Sequence, residues 1–225
     1  MAQRAPSGKD ERWRPPRGRH RLPPEVVADS QRERLLDATV RVAGAKGYGA
    51  MTVTDLTREA GVSRTTFYEL FQDKQDCFLA AYDRSVEGLI RRVSTAFETE
   101  GDWPRRARDG LAALLEALKD DPAMARLALV DISAAGPAAQ RRHRAALQRL
   151  TPLFDEGRDY APGGRKLPPN TSRMAIGAVA GLILDELLEE RTEDLPNLLS
   201  EVLFATLVPY IGPAAASREV GEATR

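Results

Sequence analysis

Arg64, Thr65, Thr66 and Tyr68 are side chains able to read a polar surface, grouped within two helical turns directly after Ser63. One guanidinium and several hydroxyls within a helical turn suit the edges of base pairs in a major groove. Tyr68 stands four residues after Arg64, on the same face of a helix, where its hydroxyl can reach a backbone phosphate. Ser63 is the natural N-cap of that helix, because its hydroxyl can accept from the backbone N–H groups of the first turn. Thr54 is read as the N-cap of the preceding helix, and both helix starts favour anions. Lys74 follows as a point charge for a phosphate.

Other chemistry finds no such grouping. The two histidines, His20 and His143, have no metal-ligating or catalytic partner at useful spacing, so neither a catalytic residue nor a metal site is expected. The glycines at 44, 47 and 49 and the run Gly163-Gly164-Arg165-Lys166 lack the spacing of a phosphate loop, and no cofactor is expected. Cys77 is the one cysteine, so no internal disulfide forms and a reducing, cytoplasmic setting is expected. The longest uncharged aliphatic stretch, Met174 to Leu184, is too short to cross a bilayer. No apolar run stands behind the basic, Pro-rich start to make a signal peptide.

The elements that must position these side chains read as helices throughout. Leu36, Val40 and Ala43 recur at helical spacing up to Gly44 and Gly47. Leu56 and Ala60 mark a short helix that Gly61 closes, and Phe67, Leu70 and Phe71 give the next helix one buried face. Two short helices around Gly61 form a helix-turn-helix pattern. Further helices are expected from about Asp73 to Glu98, after Asp102, from Pro122, from Pro137 with a break at Pro152, from Asn170 or Thr171 to about Glu190, and from Asp194 to Gly212. The expectation is an all-α chain divided into a flexible basic arm (1–28), a helix-turn-helix DNA-binding domain (29–76), a helical ligand-binding and dimerisation domain (77–212) and a C-terminal tail (213–225).

From about Arg32 to Asp83 the sequence resembles the DNA-binding domain of the TetR family of bacterial transcriptional regulators. The resemblance lies in Gly47-Tyr48, Thr52-Val53-Thr54-Asp55-Leu56, Ala60-Gly61-Val62-Ser63 and Phe67 to Lys74. It implies phosphate contacts at Thr54, Ser63, Tyr68 and Lys74, and base-proximal positions for Arg64, Thr65 and Thr66. Thr65 stands where many members carry Gly and Leu70 where many carry His, so Thr65 adds a contact or limits the approach of the helix. The family's second domain holds a small-molecule pocket and a dimer interface built from the last two helices.

The sequence supports that interface independently. Gly177 and Gly181 lie four apart, with Leu184 and Leu188 continuing the stripe, and the last helix offers Leu195, Leu199, Val202 and Leu203. A homodimer is also what a short recognition helix needs, since two-fold proteins read palindromic half-sites. No ligand-contacting residue can be named, because Leu and Ala in an apolar helix are core as readily as pocket.

The 33 basic and 33 acidic side chains cancel, but unevenly along the chain. Residues 1–24 carry seven basic and two acidic groups, whereas residues 25–74 carry seven and eight. The arm contains Pro16-Arg17-Gly18-Arg19-His20, which resembles the Arg-Gly-Arg-Pro core of AT-hook peptides with His20 in place of proline. Arg17 and Arg19 would then follow a minor groove beside the half-site; a solvated arm adding general charge attraction is the alternative. Near the end of the penultimate helix Asp185, Glu186, Glu189 and Glu190 are unfavourable like-charge neighbours. A solvated face, the row Arg141, Arg142, Arg144 and Arg149, or a cationic ligand would each account for them.

These observations point to a ligand-responsive transcriptional regulator, a repressor by preference. It would bind a pseudo-palindromic operator in double-stranded DNA as a homodimer and be released by a small molecule. The alternatives are a helical ligand-binding protein that does not read DNA, and an enzyme on the same scaffold.

Overall fold

The computed structural model describes residues 23–162 and 166–223, and every regular element among them is helical. Helix α1 (Pro24–Ala50) begins about five residues before the expected start, because Pro24 sits in its first turn, where a missing N–H is no loss. Residues 24–28 are therefore helix and not arm, while Arg17 and Arg19 lie outside the described residues. Helices α2 (Val53–Ala60) and α3 (Arg64–Leu70) pack on α1, and α4 (Lys74–Phe97) closes the small unit from the other side. Leu35, Leu56, Phe67, Phe71 and Phe78 fill the space between them, all essentially buried. Burying side chains of this size contributes on the order of 1.5–3 kcal/mol each, which holds helices too short to persist alone. Because α4 is one unbroken helix, the border expected after residue 76 falls inside it.

The larger unit continues with α5 (Trp103–Asp120), α6 (Pro122–Arg126), a π-helical turn (Leu127–Asp131), α7 (Ile132–Ala134), α8 (Pro137–Gln148) and α9 (Thr151–Asp155). A 3-10 turn (Glu156–Tyr160) leads towards α10 (Thr171–Leu188), and a second (Thr192–Leu198) leads into α11 (Leu199–Ile211). Pro104, Pro122, Pro137 and Pro152 each stand in the first turn of a helix, as their chemistry dictates. Asp194, expected to cap the last long helix, lies instead within the 3-10 turn. Residues 213–223 are no tail: they form α12 (Pro213–Ala223), which lies on α11 and α5 and buries Ala216.

The two units meet along α1, α6 and the π-helical turn. Gly44 makes this contact possible, since a Cβ there would lie 2.7 Å from the Ala123 Cβ and 2.9 Å from its Cα. Gly44→Ala must push α6 away from α1 and is expected to lower unfolding stability by roughly 1–3 kcal/mol, read as a lower urea midpoint.

Candidate DNA-binding face and effector cavity

Local chemistry fixes where α2 and α3 begin. The N-cap of α2 is Thr52, not Thr54: the Asp55 N–H donates to Thr52 Oγ1 at 3.2 Å, and the Thr52 N–H donates to Asp55 Oδ2 at 2.9 Å. This reciprocal pair is a capping box. Thr54 is thereby the second residue of the helix, exposed on its first turn. Gly61 ends α2 at φ 64°, in the left-handed region, and Arg34 on α1 donates to the exposed-end carbonyl of Ala60 at 3.1 Å. Ser63 caps α3 as expected, accepting from the Thr66 N–H at 3.0 Å.

On α3 the hydrophobic side is Phe67 and Phe71, with Leu70 half-buried against the core. Arg64, Thr65 and Tyr68 stand on the opposite side in solvent, Tyr68 at 53% exposure. Thr66 is half-buried, and its hydroxyl lies 3.0 Å from that of Ser63, so it serves the cap as well as the surface. The cations of this unit have a common feature. Arg32 lies over the Phe71 ring, Arg41 pairs with Glu59, and Lys46 and Arg58 both pair with Asp55. Arg34 caps α2, and Lys74 serves Tyr48. Among the described residues Arg64 alone of the seven cations between 25 and 74 has no such internal partner.

The break in α1 at Gly47 joins this unit to the rest. Gly47 has φ 78° and ψ 157°, and next to it the Tyr48 N–H donates to Asp131 Oδ1 at 2.8 Å. Lys74 donates to the Tyr48 carbonyl at 3.1 Å, and its ammonium lies 4.4 Å from the centre of the Tyr48 ring. That ring meets Phe78 edge-on at 4.7 Å. Lys74, expected to face a phosphate, is thus first a support of the α1 break. Gln75 adds a bond to the Ala135 carbonyl at 2.6 Å. Asp131 is buried, and desolvation raises its carboxyl pKa; its Oδ2 has no hydrogen-bond partner among the described residues.

Between α4, α5, α8 and α10 lies an apolar cavity of about 80 Å³. Val86, Ile90, Leu111, Leu147 and Ile183 are among its walls, and Ala128 and Leu129 of the π-helical turn close one side. Its polar groups are the Tyr82 hydroxyl and the His143 ring, which share a 3.0 Å hydrogen bond. Burial lowers the His143 pKa and raises that of Tyr82, so both stay neutral at pH 7. By its neighbours Arg141, Arg142 and Arg144, His143 belongs to a charged row. It is instead half-buried and turned into the cavity, and the signal was present: Ala139, Ala146, Leu147 and Leu150 stand four before and three, four and seven after it, one apolar stripe. Cys77 is buried beside Phe78 and bonds Thr39 at 3.2 Å, with burial pushing its thiol up to about 11. Such a thiol stays protonated and unreactive.

The acidic group at the end of α10 is compensated locally. Arg191 donates to Glu186 at 2.6 and 3.1 Å and lies 3.6 Å from Glu189, while Arg142 and Arg149 turn to Asp83 and Glu87 on α4. Neither the arginine row nor a cationic ligand is needed there. On the other side of α10, Met174, Gly177, Ala178, Gly181, Leu182 and Leu188 form an exposed stripe, and a Cβ at either glycine would meet nothing within 4 Å. Leu184 and Leu199 are half-buried beside it. Val202, expected to face a partner, is fully buried in the chain's own core, on the inward side of α11; Phe204 is the exposed large side chain of that helix.

An exposed reading turn on a capped short helix, set on a three-helix unit and joined to a helical cavity, defines a helix-turn-helix DNA-binding regulator. A sequence profile of bacterial regulatory proteins, tetR family, matches residues 35–81, so the DNA-binding unit is of that family's type. The HTH-type transcriptional activator FasR of Mycolicibacterium smegmatis is 28% identical over 166 residues, 73% of this chain and 74% of that protein. The regulator EthR of the same organism is 31% identical over 114 residues, covering 50% and 52% of the two chains. The fold matches FadR from Bacillus subtilis, solved in complex with stearoyl-CoA, with a TM-score of 0.67 at 18% identity over 79% of this chain and 98% of that one. The relatives named are transcriptional regulators, which removes the enzyme alternative.

The capping box carries a pH dependence of its own. Hydrogen bonds from Lys46 and Thr52 hold the Asp55 carboxyl well below its ordinary value. A depressed folded pKa means that the carboxylate stabilises the fold above its unfolded pKa, about 3.9, and that this contribution fades as pH falls towards the folded value. The stability difference between the wild type and Asp55→Ala, measured by urea unfolding, is therefore expected to be largest near neutral pH and to shrink below about pH 4.

Proposed function

We propose that the chain is a homodimeric repressor whose operator affinity falls when a small molecule enters the cavity. The observation that carries this reading is the double role of one short segment. The π-helical turn Leu127–Asp131 walls the cavity with Ala128 and Leu129, and it grips the start of the DNA-binding unit with Asp131. π-Helical turns carry one residue more than an α-turn, and they occur mostly as single turns, frequently at functional sites. A ligand that moves Ala128 and Leu129 moves Asp131, and with it the break at Gly47 and the angle of α1 to α3. It shifts the population only to the extent that it prefers the displaced arrangement.

In the DNA-bound state Arg64 and Thr65 face base edges, with Thr66 beside them. Thr54, Ser63 and Tyr68 face phosphates, and Lys74 retains two of its three donors for the same purpose. The outward stripe of α10 with Phe204 of α11 supports pairing of two copies, since apolar surface of this kind on a polar-rimmed helix pair is a protein contact by default. Gly177 and Gly181 let the partner's helices approach, with Leu184, Leu188 and Leu199 flanking them. Two α3 helices about one helical turn of DNA apart, ~34 Å, then read a palindrome. The arm, through Arg17 and Arg19, adds a minor-groove or general electrostatic contact. The protein works in the compartment that holds the DNA, the bacterial cytoplasm.

Selection of bound duplexes from a random pool tests the reading directly: a palindrome is expected, and its absence overturns the proposal. On the selected operator, Arg64→Ala is expected to weaken binding by roughly 1–3 kcal/mol and to relax one base position. Tyr68→Phe is expected to lose about 0.5–1.5 kcal/mol evenly across sequences. Gly181→Arg should give a monomer by analytical ultracentrifugation and abolish tight operator binding. Asp131→Ala should uncouple the cavity from DNA, leaving ligand binding but removing its effect on operator affinity in an anisotropy titration.

A further inference from the structure

Glu69 is the one acidic side chain of α3, and it stands on the exposed face of that helix. Glu69 and Thr65 each lie two residues from the buried Phe67, which puts both about 160° around the helix from it. Any docking that turns Thr65 towards a groove therefore turns Glu69 with it, one helical turn further on. Of the four carboxylates between residues 51 and 74, three are engaged within the fold. Asp55 holds Thr52, Lys46 and Arg58, Glu59 pairs with Arg41, and Asp73 caps α4. Glu69 makes no ion pair or side-chain hydrogen bond among the described residues. The unengaged carboxylate of the helix-turn-helix thus shares one short helix with its unengaged cation, Arg64.

A carboxylate turned towards DNA is unfavourable unless a donor meets it, because phosphates flank the groove on both sides. Cytosine supplies such a donor, since its major-groove edge offers the N4 amino group. Guanine and thymine offer acceptors there, and adenine sets its N7 acceptor beside its N6 donor. We propose that Glu69 is a specificity-determining residue, accepting from the N4 amino group of one cytosine in each half-site. It rejects guanine and thymine by repulsion between acceptors, and adenine by the lone pair on N7. Its contribution is discrimination more than affinity, because the charge that accepts from cytosine is repelled by every phosphate nearby. Arg64, five residues earlier and about 7.5 Å back along the helix, suits guanine, whose O6 and N7 take both branches of a guanidinium. With base pairs about 3.4 Å apart, the half-site is expected to carry that guanine and the cytosine within about three base pairs of each other. The inference rests on the operator-binding reading given above and adds the base chemistry that α3 selects.

Selection from random duplexes with the full-length wild type, Glu69→Ala and Glu69→Gln tests this. Anisotropy titration then compares the wild-type operator with the three base replacements at the cytosine position. The wild type should enrich cytosine at one position per half-site and lose at least about fivefold in affinity on each replacement. Glu69→Ala should bind the four duplexes within about twofold of one another, with preferences elsewhere in the half-site unchanged. Glu69→Gln, which sets a donor beside the acceptor, should move the preference to adenine. Glu69 is exposed and unengaged, so both variants keep the wild-type fold, which the urea midpoint checks. Wild-type preferences retained at every position in Glu69→Ala overturn the proposal. So does an equal gain in affinity on all four duplexes, which leaves Glu69 a general repellent of the backbone. A selected motif that answers to Glu69 but is not a palindrome would instead overturn the homodimer reading and leave this assignment standing.

Discussion

The peptide unit of Tyr48 is the point on which the two halves of the molecule depend. Its N–H is held by Asp131 and its carbonyl by Lys74, while its ring lies between the Lys74 ammonium and Phe78. A helix broken at Gly47 leaves backbone groups that the α-helical pattern no longer satisfies, and unpaired buried groups of that kind are expensive. Here the larger unit provides the partner for one and the start of α4 for the other. The orientation of the helix-turn-helix is therefore set by these hydrogen bonds at the break together with the close packing of α1 on α6 at Gly44. Contacts of this kind have two states, made or broken, which is what a switch needs.

Asp131 is suited to such a place. One oxygen is bound and the other is buried without a partner, and burial already works against the charged form. A carboxylate in that condition is held by its single good bond and gains nothing from small displacements. The surrounding turn is π-helical, a register that occurs mostly as single turns and frequently at functional sites.

Most of the fold was legible in the sequence because it rests on local rules. Prolines fixed the starts of α5, α6, α8 and α9, Ser63 capped α3, and Gly61 ended α2 in the left-handed conformation. The errors have physical causes. Thr54 was read as a cap because a hydroxyl before an apolar helix is an equally good signal at two neighbouring positions; only the return bond from Asp55 selects Thr52. Val202 sits on a helix that is apolar on nearly every side, where periodicity does not distinguish inward from outward. The tie between Asp131 and Tyr48 spans 83 residues, and no local pattern announces a contact of that separation. His143 was the avoidable omission, since its place on an apolar stripe could be counted.

The internal engagement of the cations around the reading helix bears on how the protein finds its site on a chromosome. Long-range attraction to DNA scales with the charges free to replace condensed counterions. In this unit the acidic partners of Arg41, Lys46 and Arg58 cancel them before DNA arrives, and Arg64 stands nearly alone. Residues 25–74 therefore add little to indiscriminate adhesion along the genome. Indiscriminate attraction to DNA falls instead to residues 1–24, with their seven basic side chains against two acidic ones.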